Sequence, residues 1–183
     1  MVSSRLLLII LLLVPAFPQR GNTASRDRIY RNPDCGIRLF ELPRGWQVIS
    51  RTQTNYPRIL LIAERERAHL VLAVQGIEPP TTAYSLAEKT LQALREQRWE
   101  HLLARNVGKV LRLEGELDEG HRLLRQAYLL SDELAYVLTV VTPREVSERV
   151  FHDFETALQS LVIEPLPREG AGASNSHNVA HCK

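Results

Sequence analysis

Residues 36–46 read GIRLFELPRGW. Ile37 and Leu39 share one side of an alternating run, Leu42 is a third apolar residue, and Phe40 faces the other way, so Gly36–Leu42 reads as a strand. Pro43-Arg44-Gly45 is a turn, in which Gly45 supplies backbone freedom. Trp46-Gln47-Val48-Ile49 reads as the next strand, with Trp46 placed to pin the turn to a core.

The same alternation continues outward. RILLIAE (58–64) and HLVLAVQ (69–75) are apolar strands around the charged turn Arg65-Glu66-Arg67, the pattern of a hairpin. After Pro79-Pro80, Ser85 and Glu88 have capping-box spacing, and LAEKTLQALREQRWEHLLA (86–104) reads as one amphipathic helix. Gly108 marks its break. VLRLEGEL (110–117) and HRLLRQAYLL (121–130) flank an Asp118-Glu119-Gly120 turn, and LAYVLTVV (134–141) is strongly β-prone. Thr142-Pro143-Arg144-Glu145 has the form of a second capping box, opening a helix with Val146, Val150, Phe154, Ala157, Leu158 and Leu161 on one stripe. The expected order is β-β-β-β-α-β-β-β-α. Hairpins dominate, so the fold class is α+β: a mainly antiparallel sheet of six or seven strands covered by two helices.

The 183-residue chain is 44% apolar and 24% charged, which fits one globular domain and excludes a disordered or collagen-like chain. Its first 25 residues differ from the rest. Arg5 precedes the apolar run LLLIILLLV (6–14), and small residues follow at Val14-Pro15-Ala16 and Thr23-Ala24-Ser25. Nine apolar residues are too few for a membrane span, which needs about 20. They match the apolar region of a secretory signal peptide. Residues 1–25 are therefore expected to be a signal peptide, 26–35 a linker, 36–164 the domain and 165–183 a disordered tail rich in Gly, Ala, Ser, Asn and Pro. Without Arg5 and Arg20, the 23 basic residues fall to 21, matching the 21 acids. That balance argues against nucleic acid as a partner, and Arg26, Arg28 and Arg31 read as a solvated cluster. No Cys follows the apolar run directly, so lipidation is not expected. The location implied is the periplasm or exterior of a bacterium, with no membrane span after cleavage.

Cys35 and Cys182 are the two cysteines. In an oxidising compartment they are a candidate disulfide, with a free or intermolecular thiol as the other readings. His177, His181 and Cys182 could in principle gather on a soft metal, but a plain tail is the simpler reading.

With these residues in view, the opening G-I-x-L-F-x-L-P-x-G-W resembles the start of PsbP-like and DcrB-like domains. The resemblance covers about residues 36–164. It implies an α/β/α sandwich and an exported, mostly non-enzymatic accessory or binding module; photosynthetic relatives assist the oxygen-evolving centre. Only Leu42, Pro43, Gly45 and Trp46 carry over, in an architectural role. A solvent-facing Trp46 used for binding is the rival reading.

Known catalytic motifs are missing: GxSxG, HExxH, a Walker loop, GxGxxG and CxxC. His152 and Asp153 are adjacent on a helix and point apart, so they form no dyad. His69 and His121 begin strands, and His101 is expected at a helix C-terminus. Glu114, Glu116, Asp118 and Glu119 could offer oxygen ligands to a hard cation, though they lack an EF-hand pattern. No cofactor is expected. The leading expectation is an exported non-enzymatic accessory or protein-interaction domain of the cell envelope, with a protein partner. A small-ligand or metal-ion carrier is the alternative, and a hydrolase with an unrecognised site the third.

Overall fold

The structure, a computed structural model, describes residues 28–50, 58–78, 80–131, 133–165 and Cys182. The expected signal peptide and nearly all of the expected tail lie outside them. In chain order the elements are β1 (Ile29–Asn32), β2 (Ile37–Glu41), β3 (Gln47–Ser50), β4 (Arg58–Arg65), β5 (Ala68–Gly76), α1 (Ala83–Glu96), β6 (Glu100–Val107), β7 (Val110–Leu117), β8 (Arg122–Ser131), β9 (Leu134–Pro143), α2 (Ser147–Ser160) and β10 (Val162–Ile163). Short 3-10 turns occupy Pro33–Cys35 and Arg144–Val146.

Seven strands form one antiparallel sheet in the order β3-β4-β5-β9-β8-β7-β6. A second sheet has the order β1-β2-β10. The fold is thus α+β and mainly antiparallel, with two α-helices among the described residues. β9 lies between β5 and β8, and its run LAYVLTVVT is buried throughout. Such unbroken burial requires cover on both faces of the sheet. Leu134, Tyr136, Leu138 and Val140 pack in one cluster with Phe40 of β2 and with Val150 and Phe154 of α2. Ala135, Val137 and Val141 pack in another with Leu86 and Leu94 of α1. Beneath α1 a polar group of buried residues crosses the sheet: the Tyr128 hydroxyl lies 2.7 Å from Thr90 and 2.8 Å from Gln126, and Gln126 donates to Thr139 at 3.1 Å. Burial pushes the Tyr128 hydroxyl far above its ordinary pKa.

Several expectations are corrected. The element order is β-β-β-β-β-α-β-β-β-β-α-β, because two short strands, β1 and β10, and the eight-residue β6 join it. The stretch 26–35, expected as a linker, supplies β1 and the first 3-10 turn from residue 29 onward. The strands on either side of the Pro43–Gly45 turn, β2 and β3, belong to different sheets. The helix expected over 86–104 ends at Glu96. Arg98 turns the backbone to φ +64°, and β6 runs on from Glu100 to pair with β7. His101 therefore sits exposed on a strand, not at a helix terminus. Leu94, Trp99 and Leu102 still reach the same core cluster, which is why helical spacing looked continuous. The first helix is capped by Thr82 and Ser85 rather than Ser85 and Glu88: Ser85 N–H donates to Thr82 Oγ1 at 3.1 Å and Thr82 N–H to Ser85 Oγ at 3.2 Å. Thr142 is no cap; it is buried in β9, and α2 starts five residues later without a side-chain cap.

Candidate functional site

The turn that opened the sequence reading is anchored from a distance. Trp46 is 5% exposed and not solvent-facing. Its indole N–H donates to Asp153 Oδ2 at 2.9 Å. The same oxygen accepts from Arg65 Nη1 at 2.6 Å, and that nitrogen also donates to the Arg44 carbonyl at 2.9 Å. Gly45 has φ +91°, and a Cβ there would meet the Arg65 guanidinium at 3.2–3.4 Å. Glycine is therefore favoured by the backbone conformation, and a side chain here would press on the Arg65 guanidinium. Leu42, with Phe40, is buried in the cluster beneath α2, and Pro43 is half-buried. His152 is exposed while Asp153 is buried, as adjacent helical positions dictate. This clamp is architectural: its one carboxylate is occupied by two donors.

Cys35 and Cys182 are both buried and joined as a disulfide, with Cα atoms 5.4 Å apart. Tyr136 donates to the Cys35 carbonyl at 2.8 Å, and burial raises its pKa to about 12. The amide of Glu164 donates to the Gly36 carbonyl at 2.8 Å, so the chain returns beside Cys35 before the tail begins.

A densely charged surface lies elsewhere. α2 packs on β2, β9 and β8. Beyond it, toward the sheet edge, that face changes from apolar to charged. Alternate residues of β6, β7 and β8 share the face, and cross-strand register sets Arg105 opposite Arg112 and Glu114 opposite Arg125. Glu114 accepts ion pairs from Arg105 at 3.5 Å and Arg125 at 2.9 Å. Glu155 of α2 binds Arg112 through both oxygens, one contact at 2.6 Å, and faces Arg125 at 3.8 Å. The Arg125 guanidinium also lies 4.0 Å over the Phe151 ring. Glu116 pairs with Arg144 at 2.8 Å. Glu114 and Glu116, weighed above as oxygen ligands, are thus held by arginines, and among the described residues no acid, His or Cys group is gathered for a metal. The ladder pairs no nucleophile with a base. It is a network of paired charges. Sequence reading missed it, although Arg112, Glu114 and Arg125 already alternate correctly once the hairpin register is drawn.

On the opposite face, His69 of β5 stands beside Glu64 and Arg122. Burial lowers its pKa, Glu64 opposes that shift and Arg122 adds to it; Nδ1 has no partner among the described residues. His121 is exposed in the β7–β8 turn. A depressed histidine pKa means the unfolded chain binds the proton more readily. Stability from this site is therefore present above pH about 6.5 and is lost as pH falls from there toward the folded value. Urea midpoints at pH 7.5 and 5.5 should show a smaller acid loss in His69→Asn than in the parent; equal losses would refute the assignment.

With this geometry in place, the fold is PsbP-like. A solved structure of cyanobacterial PsbP from Synechocystis sp. PCC 6803 matches with a TM-score of 0.55 and 14% identity, covering 81% of this chain and 98% of that one. A Pseudomonas aeruginosa protein of unknown function matches at 15% identity over 75% of this chain and 96% of its own, with a TM-score of 0.43. No family profile and no curated sequence matches. Among the described residues no helix is long and apolar enough to cross a membrane.

Proposed function

We propose that the chain is an exported accessory domain of the cell envelope that works by binding another protein in the periplasm or outside the cell, without an enzymatic step. The observation that carries this reading is the sheet face of β6 and β7 at and beyond the margin of α2, where no other described helix lies. There an arginine–glutamate ladder fills the surface and borders exposed Leu103 and Val107. Mixed charge beside exposed apolar side chains offers a partner both electrostatic complementarity and apolar contact. The apolar run Leu6–Val14 supports export. The test is a crosslinked pull-down of the tagged protein from its native envelope fraction, read by mass spectrometry. One dominant partner and a mature N-terminus near residue 26 are expected. Recovery of the protein alone, at full length, would overturn the reading.

The carrier reading keeps one supporting observation. Ile59, Ile62, Val71 and Ala73 form an apolar cluster on the face of the sheet that bears His69, and His69 Nδ1 and Gln75 Oε1 lack partners among the described residues. A thermal shift with a small apolar ligand would favour it.

A further inference from the structure

The interaction surface has an edge as well as a face. β6 ends the seven-stranded sheet, so on its outer side no described strand receives its backbone hydrogen bonds. Alternate residues of an antiparallel strand turn their N–H and C=O groups outward. Natural edges are protected by charge, bulges or brevity. β6 is irregular only at its start, between Glu100 and Leu103, and runs in regular register with β7 from Leu103 to Val107. Along that stretch Leu103 is 50% exposed and Val107 44% exposed, and Arg105 stands between them on the same face.

The charges on this face are unbalanced at one point. Arg105 lies directly opposite Arg112, a like-charge cross-strand pair, which is unfavourable. Arg112 is paired through both terminal nitrogens with Glu155 on its inner side. Arg105 has a diagonal contact to Glu114 at 3.5 Å, and Glu114 is shared with Arg125. The outer side of Arg105 is open, its side chain 56% exposed. A strand added to β6 would place one residue against Arg105, with its neighbours two positions away against Leu103 and Val107.

We propose that β6 accepts an extended segment of a partner protein as an eighth strand, with an acidic side chain opposite Arg105 and β-branched or aromatic side chains opposite Leu103 and Val107. The pattern apolar-x-acidic-x-apolar is symmetrical, so it suits either strand direction. Main-chain hydrogen bonds supply the affinity and the three side-chain positions the specificity. This rests on the interaction-domain reading and names the site and partner chemistry it requires.

The test uses the full chain and a capped peptide, Thr-Val-Thr-Glu-Thr-Val-Thr, followed by amide NMR. Shift changes should concentrate on residues 103–107. Arg105→Glu should weaken binding at least tenfold while the protein stays folded, with the amide spectrum away from β6 and β7 unchanged, since Arg105 is exposed. A peptide with central lysine should restore binding to that variant, and N-methylation of alternate peptide amides should abolish it. Absence of β6 shifts at millimolar peptide, or an unchanged affinity in Arg105→Glu, would overturn the proposal. So would a concentration-dependent dimer of the parent that Arg105→Glu dissolves, because a second copy would then be the occupant. A native partner captured equally well by Arg105→Glu would sink this site while leaving the interaction-domain reading intact.

Discussion

Asp153→Ala should lower unfolding stability by about 3 kcal/mol, the scale of breaking a buried ion pair on one side. The carboxylate is the acceptor shared by the Trp46 indole and the Arg65 guanidinium, and both side chains of the ion pair are shielded, at 11% and 18% exposure. Removing it leaves the indole N–H without its acceptor and the Arg65 cation with only the Arg44 carbonyl and a longer contact to Glu66. Asp153→Asn keeps an acceptor and should lose less. Trp46→Phe should cost less still, and the double variant Trp46→Phe/Asp153→Ala should fall short of the sum of the two losses, because one interaction is counted twice. Urea unfolding measures all four proteins. A loss below about 1 kcal/mol for Asp153→Ala would mean that water already supports Arg65, as at an ordinary surface pair.

Reduction of the disulfide should cost about 4–5 kcal/mol if it acts through the entropy of the unfolded chain. The sequence separation between Cys35 and Cys182 is 147 residues, near the long end of that relationship. Folded-state losses should be small, because Gly36 and Glu164 already meet through the backbone and Tyr136 holds the Cys35 carbonyl. Cys35→Ser/Cys182→Ser should match the reduced protein in urea midpoint while keeping the far-ultraviolet signal of the sheet. A midpoint insensitive to reductant would show that the thiols are unpaired in solution.

How much was legible depended on how local each signal was. The β7–β8–β9 meander was readable because period-two alternation and the 118–120 turn lie within one continuous stretch. The end of α1 was not. Trp99 and Leu102 continue the apolar spacing of a helix but reach the core from a strand, and the change rests on a positive φ at Arg98 that its sequence does not announce. The small sheet was lost because β10 is two residues long and its partner, β2, lies more than a hundred residues away. The Pro43–Trp46 turn was recognised, but not its clamp. Trp46 and Asp153 are 107 residues apart, and Arg65 and Asp153 are 88 apart. Proximity of that kind is created only by packing α2 over the sheet.

The disulfide also changes the topology of the molecule as a covalent object. Residues 35 through 182 become one closed ring, with the preceding arm and Lys183 outside it. Hydrolysis of any single peptide bond within the ring yields no separate fragment: the mass rises by one water and the two pieces stay tied through sulfur. On a non-reducing gel such a nicked protein would run close to the intact one, and it would divide in two only after a thiol was added. A first cut within the ring therefore leaves every strand of both sheets attached to the same molecule.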